Sequence, residues 1–211
     1  MRLFRTPFSS AVLRRELVTI GIALAIVVTA RSSLADHYLV PTGSMIPTVE
    51  PDDHVLVDKL AYGLRLPLLG DYVAHFAPPA RGDVVVLRSP DDGTVLLKRV
   101  VGVPGDRIAV MDGALVIDGR AIPVVERGGA SIEELGAAEH AISLAYGGGP
   151  DYGPLAVPAG RYLVMGDNRG NSRDGRTFGL VARDAIMGRV EAVIARRGRP
   201  TWVGLASPRS W

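Results

Sequence analysis

Beyond residue 35 the chain reads as short apolar runs broken by polar and turn residues. The runs are "DHVLVDKLAYG", "GDVVVLRS", "TVLLKRVVGV", "DRIAVMDGALVIDGRAI", "GRYLVMGD" and "IMGRVEAVIAR". Each is the length of a strand, and glycine, proline, serine or aspartate bounds it, so each predicts a β-strand or hairpin. In "MDGALVIDG" two Asp-Gly pairs bracket one apolar run, the pattern expected of tight hairpin turns. The stretch from Glu126 to Pro158 differs. It clusters Gly147, Gly148 and Gly149, carries Glu133, Glu134 and Glu139, and shows little alternation, which predicts a loop-rich insertion with one short helix near Ile132 to Ala141. There is no internal repeat and no βαβ alternation, so the predicted class is mainly β.

The N-terminus follows another rule. Arg2, Arg5, Arg14 and Arg15, against the single acid Glu16, precede an uncharged stretch from Leu17 to Ala30. This basic bias places the N-terminus in the cytoplasm and the rest of the chain across the membrane. At about 1.5 Å per residue the stretch reaches roughly 21 Å, short of the ~30 Å hydrocarbon core. Continuing the helix to Leu34, with Arg31 reaching for the far interface, makes up the difference. Ser33-Leu34-Ala35 also meets the small-x-small requirement of a cleaved signal peptide, so this segment alone leaves both a retained anchor and a removed peptide open.

Composition narrows the chemistry. The 211 residues suffice for one core carrying a smaller insertion, and 25 glycines with 15 prolines suit many turns. Cysteine is absent, which excludes disulfides, thiolate metal sites and a cysteine nucleophile. His37, His54, His75 and His140 are scattered without a metal-binding spacing, so no metal is expected. A net charge of +2 with dispersed arginines argues against nucleic-acid binding. Of the 24 basic side chains only Lys59 and Lys98 are lysines. Lysine, unlike arginine, can lose its proton when desolvated, so a lysine in so arginine-rich a chain draws attention.

Three stretches could carry a reaction. "LVPTGSMIPTVEP" places Ser44 between Gly43 and Met45, but neither a G-x-S-x-G elbow nor an S-x-x-K pattern surrounds it. A triad with His54 or His75 stays open on sequence alone. Lys98 is flanked by apolar residues in "TVLLKRVVGV", and strand periodicity puts it with Leu96 and Val100. There desolvation would lower its pKa and leave an amine able to take a proton from a serine hydroxyl, although a strand lysine more commonly snorkels to pair with an acid. "GDNRGNSRDGRTFG" concentrates Asp167, Asn168, Ser172, Asp174 and Arg176, either a solvated turn or a hydrogen-bonded support.

Taken together, "PTGSMIPT", "RGDVVVLR", "KRVVGVPGDRI" and "GDNRGNSRDGRTFG", in this order after a membrane-length segment, resemble the motif boxes of bacterial type I signal peptidases. "LAYGLRLP" resembles the family's segment between the first two boxes, and the resemblance runs from about Leu17 to Ile194. It implies a Ser/Lys protease with Ser44 as nucleophile and Lys98 as general base. Thr42 stands where the family usually has an oxyanion-hole serine, and Met45 supports the nucleophile by packing. Ser172 matches the serine that hydrogen-bonds the lysine amine, while Asp174 and Arg176, with Gly166, Asp167 and Asn168, match the supporting loop. Gly175 departs from the usual serine, which leaves one loop hydrogen bond open.

The resemblance also implies an antiparallel β-sheet catalytic domain (36–105 and 159–199) with a smaller inserted β/loop domain (106–158). A cytoplasmic segment (1–16) and a retained transmembrane anchor (17–35) come before it, and a tail (200–211) follows. The expected protein is a monomer on the outer side of the bacterial cytoplasmic membrane, without cofactor or metal, and its partners are preprotein signal peptides and membrane phospholipid. "LRLPLLG", Leu64 to Gly70, is either a lipid-dipping segment or a buried strand. A processing protease dedicated to a single pilin or conjugation substrate is the alternative within the family's chemistry, and a catalytically silent peptide-binding domain the alternative outside it.

Overall fold

The computed structural model describes residues 14–21, 35–65, 72–136 and 138–205. Residues 14–21 form a helix, α1, exposed along its whole length, and no described helix is long and apolar enough to cross a membrane. Most of the expected anchor, 22–34, lies outside the described residues, as does 66–70 of the "LRLPLLG" stretch.

The strands are β1 (Ala35–Leu39), β2 (His54–Asp58), β3 (Gly63–Arg65), β4 (Tyr72–His75), β5 (Val84–Arg88) and β6 (Val95–Gly102). They continue as β7 (Arg107–Met111), β8 (Ala114–Ile117), β9 (Arg120–Ala121), β10 (Val124–Arg127), β11 (Ala130–Leu135) and β12 (Ala138–Ile142). The last are β13 (Tyr152–Ala156), β14 (Arg161–Met165), β15 (Val181–Ala182), β16 (Ile186–Arg196) and β17 (Arg199–Gly204), with a one-turn helix, α2 (Gly175–Phe178), before β15.

An eight-stranded antiparallel sheet ordered β1-β2-β16-β5-β6-β14-β15, with β17 also on β16, forms the main body. Two smaller sheets, β13-β7-β8-β9 and β10-β11-β12, lie between β6 and β14 in sequence. The apolar runs bury as their patterns suggest. Val55, Val57, Val84, Val86, Val190 and Val193 pack with Val40, Met45 and Val49 into one core cluster. Val85, Leu87, Val100, Val164 and Ile186 form a second, and Ile108, Val110, Leu115, Ile117 and Leu163 join the main sheet to a small one in a third.

The hairpin signal in "MDGALVIDG" corresponds to the β7–β8 and β8–β9 turns. Asp112, Gly113, Asp118 and Gly119 all have positive φ, as two-residue turns matching strand twist require. The helix expected near Ile132 to Ala141 is instead the β11–β12 hairpin, with Glu133 opposite His140. Its alternation was hidden because an inward position is filled by Glu133, which is fully buried although its residue type reads as solvated.

Helix α2 closes tightly on β14. A Cβ on Gly175 would stand 2.7 Å from Leu163 Cδ1 and 2.8 Å from the Val164 carbonyl oxygen. The backbone oxygen cannot turn aside as a side chain could, so glycine belongs here, at the position where Gly175 departs from the serine usual in the resembled family. Gly175→Ser should therefore destabilise the fold by about 1–3 kcal/mol in urea unfolding, and an unchanged midpoint would contradict the close approach.

Candidate active site

The turn bearing Ser44 connects β1 to β2 and is closed at its base by Val40 N–H on Asp53 O (2.9 Å) and Asp52 N–H on Val40 O (2.8 Å). Met45 is wholly buried in the core cluster with Val40 and Val49, which fixes the residue next to Ser44. Lys98 comes from the middle of β6, paired in register with Val85. Its Nζ lies 2.8 Å from Ser44 Oγ and donates to Leu97 O at 2.8 Å. His54 and His75 lie elsewhere: His54 stacks on His37, and His75 approaches Asp184 and Tyr72. The hydroxyl therefore faces an amine and no imidazole.

Lys98 is only 3% exposed. Burial pushes its pKa down from the ordinary 10.5 to about 8, against the opposing pull of the Asp174 and Asp167 charges. An amine so placed is partly neutral near pH 7 and can accept a hydroxyl proton.

The polar loop after β14 holds this pair from below. Asn168 N–H donates to Ser44 O (3.1 Å) and Asn168 Nδ2 to Gly43 O (3.0 Å), so one residue grips the turn twice. Asp167, fully buried, is forked by Arg99 through Nε (2.9 Å) and Nη2 (2.7 Å) and accepts Thr48 Oγ1–H at 2.5 Å. The Arg99 guanidinium holds the Asp167 carboxyl below its usual range despite the opposing effect of burial. Asp174 caps α2 through Arg176 N–H, accepts Gly166 N–H at 2.9 Å, and is forked by Arg176 Nε and Nη2, each at 2.9 Å. Arg99 and Thr48 escaped sequence reasoning. A signal existed for Arg99, a second charge beside Lys98 in an otherwise apolar strand.

Beside Lys98 runs a groove with about 100 Å³ of free volume. Tyr38 and Leu39 of β1, Val40, Pro41 and Thr42 leading into the Ser44 turn, and Val95, Leu96 and Leu97 of β6 line it. Thr42 is exposed, and neither its hydroxyl nor Ser44 N–H makes a hydrogen bond among the described residues.

A family model described as "Signal peptidase, peptidase S26" matches residues 13–195. The chain belongs to this family. It is 40% identical over 196 residues to the signal peptidase I of Pseudomonas fluorescens, covering 81% of this chain and 68% of that protein. It is 39% identical over 194 residues to the signal peptidase I of Pseudomonas aeruginosa, with the same coverages. The signal peptidase I T of Bacillus subtilis strain 168 is 33% identical over 174 residues, 81% of this chain and 78% of that one. A solved signal peptidase I from Enterococcus faecalis V583 aligns with 54% of this chain and 97% of that one at 27% identity, with a TM-score of 0.37.

In this peptidase S26 chain one expected contact is not made. Ser172 Oγ is buried without a hydrogen-bond partner, so it does not bond the lysine amine. The amine is already engaged by Ser44 Oγ and Leu97 O, and Ser172 packs on Gly166, where any Cβ would overlap Ser172 Oγ and the Ser44 carbonyl oxygen. Ser172 thus bounds the site by shape.

Drying Lys98 has a stability consequence. Its folded pKa is below the unfolded value, so between about 8 and 10.5 the unfolded chain binds more protons. The penalty is fully present below about pH 8 and disappears as pH rises towards 10.5. Lys98→Met should therefore raise unfolding free energy by up to roughly 3 kcal/mol at pH 7, with the gain fading above pH 8. Denaturant titrations of both proteins at several pH values test this, and equal stability at pH 7 would contradict a desolvated amine.

Proposed function

We propose that this chain is a membrane-anchored serine endopeptidase that removes N-terminal signal peptides from exported preproteins, with Ser44 as nucleophile and Lys98 as general base. The observation that carries the reading is the 2.8 Å approach of a dried lysine amine to the Ser44 hydroxyl at the side of an apolar groove. Membership of the signal peptidase family supplies the substrate class.

The groove suits an extended peptide. Among the described residues β1 is an end of the main sheet, and β6 pairs with β14 only from Arg99 to Gly102, leaving one edge of Val95–Leu97 open. A peptide laid between these edges gains main-chain hydrogen bonds, and the shallow apolar walls suit small side chains before the scissile bond.

In the reaction, neutral Lys98 takes the Ser44 proton as Oγ attacks the scissile carbonyl carbon. Ser44 N–H and the Thr42 hydroxyl, both free to donate, receive the developing oxyanion. Collapse breaks the C–N bond, and the Lys98 ammonium protonates the departing amine. Lysine, neutral again, then takes a proton from water as that water attacks the acyl-enzyme ester, and returns it to Ser44 Oγ on release of the new carboxylate.

The anchor belongs to the same proposal. Arg2, Arg5, Arg14 and Arg15 favour a cytoplasmic N-terminus, and the exposed Leu17, Val18 and Ile20 of α1 suit lipid. With Leu17–Ala30 retained, the catalytic domain stands on the outer side of the cytoplasmic membrane, beside substrates held in the same bilayer.

Ser44→Ala and Lys98→Ala should each abolish preprotein cleavage in detergent with the fold intact, and Lys98→Arg should do the same, since a guanidinium holds its proton. Full activity in any of the three would remove the dyad. The kcat/KM profile should climb as Lys98 deprotonates and level off above about pH 8, and a flat profile from pH 6 to pH 9 would contradict lysine as the base. Thr42→Val should lower kcat on the order of 10²-fold with little change in KM, whereas wild-type kcat would assign the oxyanion to other donors.

A further inference from the structure

The supporting loop has a second attachment, on the insertion. Arg169 follows Asn168, the residue that grips the Ser44 turn twice, and its guanidinium is 1% exposed. It forks Glu133 of β11 through Nη1 (2.7 Å) and Nη2 (2.6 Å), and Nη1 also donates to Gly113 O in the β7–β8 turn at 2.5 Å. Glu133 is fully buried; burial pushes its carboxyl up, but the neighbouring His140 and the hydrogen-bonded Arg169 guanidinium hold it below the usual range. Backbone contacts reinforce the junction: Ser143 N–H donates to Asp167 O (2.8 Å) and Arg169 N–H to Ser143 O (3.0 Å).

His140, opposite Glu133 across the β11–β12 hairpin, stands between two ion pairs. Its Nε2 is 3.2 Å from Glu133 Oε2 and 3.8 Å from Asp167 Oδ1. The Arg169–Glu133 pair from the insertion and the Arg99–Asp167 pair beside Lys98 thus meet across one imidazole. All five side chains are at least nine-tenths buried. An isolated carboxylate in this position would be strongly unfavourable, so Glu133 is tied to Arg169 and fixes where Asn168 sits.

We propose that Glu133 is a positioning residue for the reaction: through Arg169 it makes the β10-β11-β12 sheet of the insertion hold Asn168, and hence the Ser44 turn, in register with Lys98. The role is mechanical. Lys98 feels the charges of Asp174 and Asp167, and Glu133 acts through the backbone that Arg169 holds in place. The inference rests on the Ser44–Lys98 reading for its kinetic consequence, but the placement of the Ser44 turn is measurable without it.

The test uses the full chain in detergent, comparing wild type, Glu133→Gln and the double variant Glu133→Gln/Arg169→Gln, which leaves no unpaired buried charge if the single variant unfolds. Kinetics of preprotein cleavage should show kcat lowered on the order of 10²-fold in Glu133→Gln, because a shift of about 1 Å suffices for such a loss, with KM within about threefold. The ascending limb should stay near pH 8. The double variant should be no slower than the single one, since both break the same tie. Hydrogen exchange should show faster exchange at Asn168 N–H, which donates to Ser44 O, with the β2–β16 core unchanged.

Wild-type kcat in a folded Glu133→Gln protein, a double variant slower than Glu133→Gln, or unchanged exchange at Asn168 would each overturn the proposal. A pH limb displaced by a full unit would overturn it in favour of an electrostatic route. Ser44→Ala in the same assay keeps the two readings apart. If that variant cleaves, the dyad has failed, and exchange at Asn168 alone decides the role of Glu133.

Discussion

An amine can take a proton from a serine only while it is neutral, and near pH 7 a lysine is appreciably neutral only if water is kept from it. The surroundings of Lys98 meet that condition. β6 carries the side chain inside the main sheet, where it is 3% exposed, and the β1–β2 turn places the Ser44 hydroxyl 2.8 Å from it. Neither element suffices alone, since a strand lysine without this cover would reach solvent and stay charged, and a serine without the amine would be an ordinary alcohol.

The dry site creates an electrostatic problem that the polar loop resolves. Asp167 and Asp174 both favour the ammonium form of Lys98 and so oppose what burial achieves. Each is forked by its own arginine, Arg99 or Arg176, so the carboxylates do structural work while much of their charge is balanced locally. Breaking either fork would leave an unpaired buried charge and return an uncompensated negative field to the lysine. The wealth of arginine in the chain fits this division: guanidinium supplies fixed charge and a planar fork, and the amine supplies a removable proton.

Much of this was legible one residue at a time. Each apolar run became a strand because its period and its bounding turns agreed, and the Asp-Gly pairs turned where both residues could take positive φ. The β10–β11 and β16–β17 turns have the same geometry at Gly128-Gly129 and Arg197-Gly198, but no apolar run on both sides drew attention to them. The mistaken helix at Ile132 to Ala141 had one cause. Glu133 occupies an inward position, and its partner Arg169 lies 36 residues along the chain, where no local pattern can register it.

Ser44, Lys98, Asp167, Asn168, Asp174 and Arg176 were legible because reactive and hydrogen-bonding residue types in ordered boxes carry their chemistry in their identity. Local sequence also determined the strands of the apolar runs, since backbone preference and side-chain periodicity act over a few neighbours. Pairings across the fold were decided by tertiary structure. They include the Arg99 fork on Asp167, the missing bond of Ser172, the need for glycine at 175 and the contact of His140 with two carboxylates. Each depends on how closely two distant segments approach and on which buried group already has its partner satisfied. Packing of the whole sheet sets those quantities, and no short stretch of chain contains them.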